Sequence, residues 1–460
     1  MNALTLFLVI SFTGFLSFAR SQTVPFEGKI DNTEIYHPSF ESPKKTPAKW
    51  QQLDEEPADE PTWSPDLLVK YANIHIKIFP HHNKYNSPHG ADTVTNKVTI
   101  SSVGDCTAYK AGASSEGGIL RDDVVMSGKS FNLTATTVKQ PMWIECSAPI
   151  QVTRVDYPKA PTRYKGVVYV KPIKIGTNAA YLTLVNVLPF EEYMKGVVPS
   201  EMPASWAYEA LKVQAIAARS YALYEASSNV YKLDENIMAE QSGAVFDDTV
   251  SYQAYKGLNN TTTATDKAVD ETRGQVMVHE GKVVKAYFHA DSGGYTENAE
   301  NVWGKYYPYI IAKPEPYPDG SIPGTVWTYS PSFDEIQTKM SANDILGTNE
   351  TLVDLKIEAG DLFPSSRPQH VTLVIAGKPN KKVLAVDFAF AMRIKSQWIK
   401  ISTKVKAKTA TFTGRGFGHG AGMNQWGARV MVDKLNKNFT EILKFYYTGV
   451  DITDPTPTVP

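Results

Sequence analysis

The spacing of apolar side chains changes once along this chain of 460 residues, and that change constrains the fold more than any other feature. Between residues 72 and 187, apolar and polar residues alternate in short runs separated by turn residues: Ile74-His-Ile-Lys-Ile-Phe79, Lys97-Val-Thr-Ile-Ser101, Phe131-Asn-Leu-Thr-Ala135, Ile150-Gln-Val-Thr-Arg-Val155, Gly166-Val-Val-Tyr-Val170 and Tyr181-Leu-Thr-Leu-Val-Asn-Val187. A period of two marks half-buried strands. After Pro203 the spacing becomes three and four, with Ser205 as a cap and apolar residues at 206, 210, 213, 217, 221 and 224. That is one face of a helix over 206–225. Alternation returns in 274–279 and 282–288, joined by Glu280-Gly281 as a hairpin. The pattern predicts an α+β fold: a strand-rich, two-lobed protein with one long helix beside a cleft.

The apolar run over residues 4–18, followed by Ala19-Arg20-Ser21, reads as a secretory signal over 1–21 that exports the chain to the periplasm or cell surface. No Lys or Arg precedes the run, so an uncleaved anchor is the alternative, and a membrane is a partner only in that case. Residues 22–65 hold seven prolines and nine acids against four lysines, too polar a mixture to order itself, and form a Pro-rich acidic linker. The remainder is one domain over 66–451: a strand-rich lobe (66–190), a motif-bearing segment with the helix (191–304), an insertion (305–391) and a Gly-rich C-terminal segment (392–451). Lys+Arg 47 against Asp+Glu 48 leaves a net charge of −1, which argues against a whole-chain nucleic-acid binder. The eleven Lys/Arg against two acids in 392–449 make either a polyanion patch or a solvated basic face. Cys106 and Cys146 either pair in an oxidising compartment or remain two buried thiols.

Three stretches carry residues suited to chemistry. In Phe190-Glu-Glu-Tyr-Met-Lys-Gly-Val-Val-Pro-Ser-Glu-Met-Pro203, Glu201 stands between two prolines at the end of an apolar strand, beside Val198, Met202 and Trp206. Partial desolvation there raises a carboxyl toward the pKa of an acid catalyst, whereas a surface loop would leave it ordinary. In Ala286-Tyr-Phe-His-Ala-Asp-Ser-Gly-Gly-Tyr-Thr-Glu297, His289 and Asp291 suggest a metal pair, but two ligands without a third are better read as structural. Gly414-Arg-Gly-Phe-Gly-His-Gly-Ala-Gly-Met-Asn-Gln-Trp-Gly-Ala428 surrounds His419, Asn424, Gln425 and Trp426 with glycines. It is either a backbone-lined sugar site or a tightly packed turn cluster.

Taken in order, Tyr193-Met-Lys-Gly-Val-Val-Pro-Ser-Glu-Met-Pro203, Ala210-Leu-Lys-Val-Gln-Ala-Ile-Ala-Ala-Arg-Ser-Tyr-Ala222, Ser292-Gly-Gly-Tyr-Thr-Glu297 and Gly416-Phe-Gly-His-Gly420 with Met423-Asn-Gln-Trp-Gly-Ala428 closely resemble the SpoIID family, which comprises stage II sporulation protein D and the amidase enhancers. The resemblance spans about residues 70–451. It implies a peptidoglycan lytic transglycosylase that cleaves between N-acetylmuramic acid and N-acetylglucosamine and leaves a 1,6-anhydro end, with Glu201 as the single catalytic acid and base. It implies further that Arg219 stabilises charge or orients the glycan. Substrate contacts are also expected from Gln214, Ser292, Asn424 and Trp426, and from His419 and Gln425 lining the cleft opposite Glu201. Sporulation members similar to this chain carry zinc on His and Cys ligands; here Asp291 and Tyr295 occupy that neighbourhood and no cysteine is near, so neither metal nor cofactor is expected. The partners implied are peptidoglycan glycan strands and a cell-wall amidase. The rival reading from another class is a non-catalytic, glycan-binding activator of that amidase; a metal-dependent hydrolase at His289 is a third.

Overall fold

A computed structural model describes residues 60–70, 72–78, 97–111, 123–154, 161–175, 179–227, 246–248 and 252–453. The expected signal and most of the expected linker lie outside them. The alternating runs build one nine-stranded sheet. Its strands are β1 (Asn73–Ile78), β2 (Lys97–Lys110), β3 (Val124–Thr134), β4 (Met142–Cys146), β5 (Ile150–Arg154), β6 (Thr162–Tyr164), β7 (Val167–Ile175), β8 (Ala179–Pro189) and β9 (Phe246–Asp247). They run in the order β6-β5-β2-β4-β7-β8-β1-β9, with β3 also paired to β2. The long strand β2 changes partner midway: Val98–Ser101 pair with β5, Cys106–Lys110 with β4. Cys106 stands directly opposite Cys146, and the two form a disulfide with Cα atoms 4.0 Å apart. The pairing left open by the sequence is thereby made.

Helices α1 (Phe190–Glu201) and α2 (Tyr208–Ser227) follow β8, and α3 (Thr263–Glu271) follows the short edge strand β9. The expected long helix begins two residues late, because residues 203–207 form a turn in which Trp206 N–H donates to Pro203 O. Helix α1 replaces the expected strand end. Its buried residues Phe190, Tyr193, Met194, Val197 and Val198 have three- and four-residue spacing; Gly196 and Pro199 disguise it, since both are poor helix formers. Helix α2 is buried on every side from Ala210 to Glu225, as a central helix must be when sheet and helices pack around it. One apolar cluster joins strand residues such as Ile76, Ile100 and Val170 to Val197, Ile216 and Tyr221.

Strands β10 (Met277–His279) and β11 (Lys282–Val283) form the core of the expected hairpin, turning through Glu280 and Gly281 at φ 50° and 75°. Both angles lie in the left-handed region that a type I′ turn requires. Strand β12 (Phe288–His289) then leaves for a different partner. Residues of the expected insertion contribute a second core, which includes Phe333, Ile336, Leu373, Phe388 and Phe412. It is built from β13 (Val326–Tyr329), α4 (Phe333–Ala342), β14 (Leu352–Lys356), β15 (His370–Ile375), β16 (Lys381–Leu384), α5 (Ala385–Met392), β17 (Ile399–Lys404) and β18 (Thr409–Arg415). The chain then returns to the first core through β19 (Met423–Asn424), α6 (Gln425–Leu435), α7 (Phe439–Tyr446) and β20 (Asp451–Ile452). Because β19 pairs in parallel with β12, the second and third sequence motifs lie side by side. Among the described residues, no helix is long and apolar enough to cross a membrane.

Candidate active site

Glu201 is the last residue of α1. Pro203 ends the helix there, since a residue before proline is pushed out of the α region, and Met202 is extended at φ −133°, ψ 132°. Glu201 is partly exposed, with protein packed densely around its carboxyl. Burial pushes its pKa up to about 7, against the opposing influence of the Ala254 N–H, Gln425 and Lys256. The unpaired carbonyls of the helix end disfavour a negative charge in the same direction. A carboxyl at that value holds a proton or gives it up with equal ease near neutrality.

The group that touches the carboxyl is one the sequence motifs did not mark: Ala254 N–H donates to Glu201 Oε1 at 2.5 Å. A backbone donor leaves no signature in side-chain types. What holds Ala254 in place is its neighbour Tyr255, whose ring lies over Gly196 so closely that a Cβ there would stand 2.4 Å from it. The Tyr255 hydroxyl donates to Asn186 Oδ1 at 2.8 Å, and Asn186 Nδ2 donates to Lys165 O and Val167 O, which anchors the segment to the sheet. Gly196 is therefore required for a close approach rather than for helix flexibility.

Of the expected substrate contacts, three gather around Glu201. Gln425 Nε2 donates to Glu201 O and to Gln214 Oε1, both at 3.2 Å. Trp426, next in the chain, packs against Trp206 with ring centroids 4.7 Å apart, and Arg429 lies over both rings. Gln214 has no exposed surface, so it orients Gln425 and does not meet a ligand itself.

The other expected contacts are placed elsewhere. Arg219 is wholly buried, and its guanidinium forms a two-pronged pair with Glu191, at 2.9 Å from Nε and 2.8 Å from Nη2. Its remaining donors reach Gln275 O, Val269 O and Thr272 Oγ1. No donor is left for a glycan: Arg219 locks α2 to α1 and α3. Ser292 and Asn424 are likewise buried and bonded to each other, with both donating to Glu315 Oε1. Asn424 also caps α6 by accepting from Gly427 N–H.

His419 corrects the expectation of a cleft-lining residue. It has no exposed surface; its Nε2–H donates to Phe288 O at 2.9 Å and its Nδ1 accepts from Ala421 N–H at 3.1 Å. The glycines around it face the protein's own strand: a Cβ on Gly418 would stand 2.8 Å from His289 Cβ, and one on Gly422 only 2.1 Å from Tyr287 O. Close packing, the alternative to a sugar-lining loop, accounts for them.

Nor do the residues of the second motif fit a zinc ion. His289 donates from Nδ1–H to Ala421 O and keeps a buried, unpartnered Nε2, but nothing joins it as a ligand set: Asp291 Oδ1 accepts from Gly293 N–H, and both cysteines are consumed in the disulfide. Burial and the nearby Arg367 hold the His289 imidazole down at about 3, so it stays neutral. Among the described residues, no three His, Cys, Asp or Glu side chains converge as a metal site would need.

Comparison with known proteins identifies a family. A family model described as SpoIID, Stage II sporulation protein, matches residues 178–279, which include Glu201, all of α2 and Ala254. Stage II sporulation protein D of Bacillus subtilis (strain 168) is 33% identical over 302 residues, covering 62% of this chain and 80% of that protein. The protein of the same name from Bacillus amyloliquefaciens is 33% identical over 290 residues, covering 58% of this chain and 75% of its own length. The amidase enhancer of Bacillus subtilis (strain 168) is 31% identical over 302 residues, covering 56% of this chain and 40% of its own. With a third of the aligned positions shared along most of the stage II sporulation proteins D, the chain belongs to the SpoIID family.

Proposed function

We propose that this protein is an exported peptidoglycan lytic transglycosylase in which Glu201 is the only catalytic side chain. The observation that carries the reading is the partly desolvated Glu201 carboxyl, held by Ala254 N–H and raised to about 7. Ordinary glycosidases need two carboxyls, one to protonate the leaving group and one to supply a nucleophile or activate water. A lytic transglycosylase needs one. Glu201 gives its proton to the glycosidic oxygen as the C1–O bond breaks. The C6 hydroxyl of the same muramic residue then bonds to C1, and its proton passes to the Glu201 carboxylate, which restores the acid. A group near pH neutrality serves both half-steps. Gln425 fixes the end of α1 that carries the acid, and Trp426 offers an aromatic edge beside it for a sugar face.

Two further observations support this setting. The Cys106–Cys146 disulfide suits an oxidising, extracytoplasmic compartment. The relatives named for stage II sporulation and for enhancing an amidase suit a role in remodelling the cell wall. The second reading, a glycan-binding activator of an amidase, draws on the amidase-enhancer relative alone. Mass spectrometry of products released from purified glycan strands separates them. Anhydro-muramic ends are expected; strands that bind but stay intact would favour the activator, and reducing ends would show hydrolysis instead.

A further inference from the structure

Arg367, in the inserted region between β14 and β15, is 2% exposed, yet it belongs to the second core only by sequence. Its guanidinium crosses to the Ser-Gly-Gly turn. There Nη2 donates to Ser292 O at 2.7 Å and to Tyr295 O at 2.8 Å, and Nη1 donates to Thr296 O at 3.3 Å. Nη1 also lies 3.7 Å from Glu297 Oε2, the same oxygen that accepts from Ser365 Oγ. On the far side the Trp398 ring lies 4.8 Å from the guanidinium, and Gly420 leaves the room it occupies: a Cβ there would stand 2.5 Å from Nη2. Three carbonyls of one turn converging on one cation is an arrangement that a metal ion also satisfies, but the planar fork of arginine does it with fixed directions. Asp291, Glu297 and Glu315 supply the surrounding negative charge.

The turn is connected to the acid. Ser292 accepts from Asn424 Nδ2 at 3.0 Å, Asn424 caps α6, and Gln425, the first residue of α6, donates to Glu201 O. We infer that Arg367 is a positioning residue: the guanidinium carried in by the insertion is the internal cation on which the 292–297 turn is assembled, and through Ser292, Asn424 and Gln425 it sets the wall of the Glu201 site. This gives the insertion a role and makes the turn independent of any metal. Its last link rests on reading Glu201 as the acid.

The test is chemical rescue. Arg367→Ala strands buried carbonyls and carboxylates, and a melting point lower by roughly 10 °C is expected. Millimolar guanidinium chloride should restore much of that loss by refilling the space, together with release of anhydro ends, while it leaves the wild-type protein unchanged. EDTA should alter neither melting nor turnover of the wild type. If the alanine variant does not fold, Arg367→Lys carries the test: it keeps the charge without the fork and is expected to fold and melt below the wild type. The inference is overturned if Arg367→Ala melts like the wild type, if guanidinium fails to raise its melting point, if the lysine variant is also unfolded, or if EDTA destabilises the wild type. Rescue of melting in a protein that releases no anhydro ends would uphold the staple and reject the transglycosylase reading instead.

Discussion

The backbone N–H of Ala254 stands 2.5 Å from Glu201 Oε1, although 53 residues separate the two in sequence. A glutamine oxygen accepts the same bond, so Glu201→Gln keeps this contact and the shape of the site while removing the proton. Turnover is expected to fall at least about a hundredfold, with melting point and glycan affinity close to wild type. Counting anhydro ends and recording melting curves on the same preparations checks both halves; an active glutamine variant would reject the mechanism.

The raised pKa has a stability consequence of definite sign. Glu201 titrates near 4.5 when unfolded and about 7 when folded, so the folded state holds its proton more tightly. Its contribution to stability is fully present below pH 4.5 and is lost as pH rises through about 7. Across that window the wild type should lose melting temperature relative to Glu201→Gln, which has no carboxyl to ionise, and turnover should decline above the upper limit as the acid form disappears. Parallel melting curves for the two proteins across the window would show that the carboxyl is not desolvated.

Gly196→Ala tests the device that places Ala254. The added Cβ meets the Tyr255 ring at 2.4 Å, and neither the helix nor the anchored tyrosine can yield freely. We expect a loss of about 1–3 kcal/mol from overpacking, and lower turnover in the protein that remains folded because Ala254 moves off the acid. Urea unfolding beside anhydro-end release measures the two effects; a variant that is destabilised yet fully active would disconnect Tyr255 from the chemistry.

The residues themselves explain which parts of this arrangement were legible beforehand. Alternation locates β1 and β5 nearly to the residue because Ile74, Ile76 and Ile78, and Ile150 and Val152, enter a core at every second position; β8 shows the same alternation in sequence but is buried on both faces over Leu182–Asn186 and runs two residues farther at each end. Helix α1 escaped because Gly196 and Pro199 oppose helix on propensity, although Tyr193, Met194, Val197 and Val198 already had helical spacing. Glu201 and Gln425 could be recognised by motif, whereas Ala254 acts through its N–H and could not. Arg219 and His419 depart from the expected substrate contacts for a common reason: a polar residue in a motif looks the same whether it faces a ligand or a partner such as Glu191, 28 positions upstream.

Arg219 is expected to behave as a structural residue. Removing its guanidinium leaves Glu191, the Val269 carbonyl in the last turn of α3 and the Gln275 carbonyl beyond it without their buried donor, and breaking a buried pair from one side costs about 3–5 kcal/mol. Arg219→Ala should therefore lower stability severely, and Arg219→Lys less, while glycan affinity of the folded fraction stays at the wild-type value. Pull-down with purified strands after removal of unfolded protein is the measurement; weakened binding by folded Arg219→Lys would return the side chain to the substrate site.

His419 and Gln425, six positions apart in the same Gly-rich motif, should respond in opposite ways. His419 bonds Phe288 O and Ala421 N–H inside the packed loop, so His419→Ala leaves two buried backbone groups unpaired and is expected to cost on the order of 2–4 kcal/mol, without altering the affinity of what folds. Gln425, buried as well, instead bridges Glu201 O and Gln214 Oε1 at the end of α1. Gln425→Ala removes two neutral hydrogen bonds, worth about 1–2 kcal/mol, but frees the end of α1 that aims the acid, so turnover should drop at least about tenfold by misplacement of the proton donor. Melting curves and anhydro-end release on the two variants give the contrast directly. If Gln425→Ala keeps full turnover, or if folded His419→Ala binds glycan more weakly than wild type, the division between a packed loop and an acid-aiming amide is wrong.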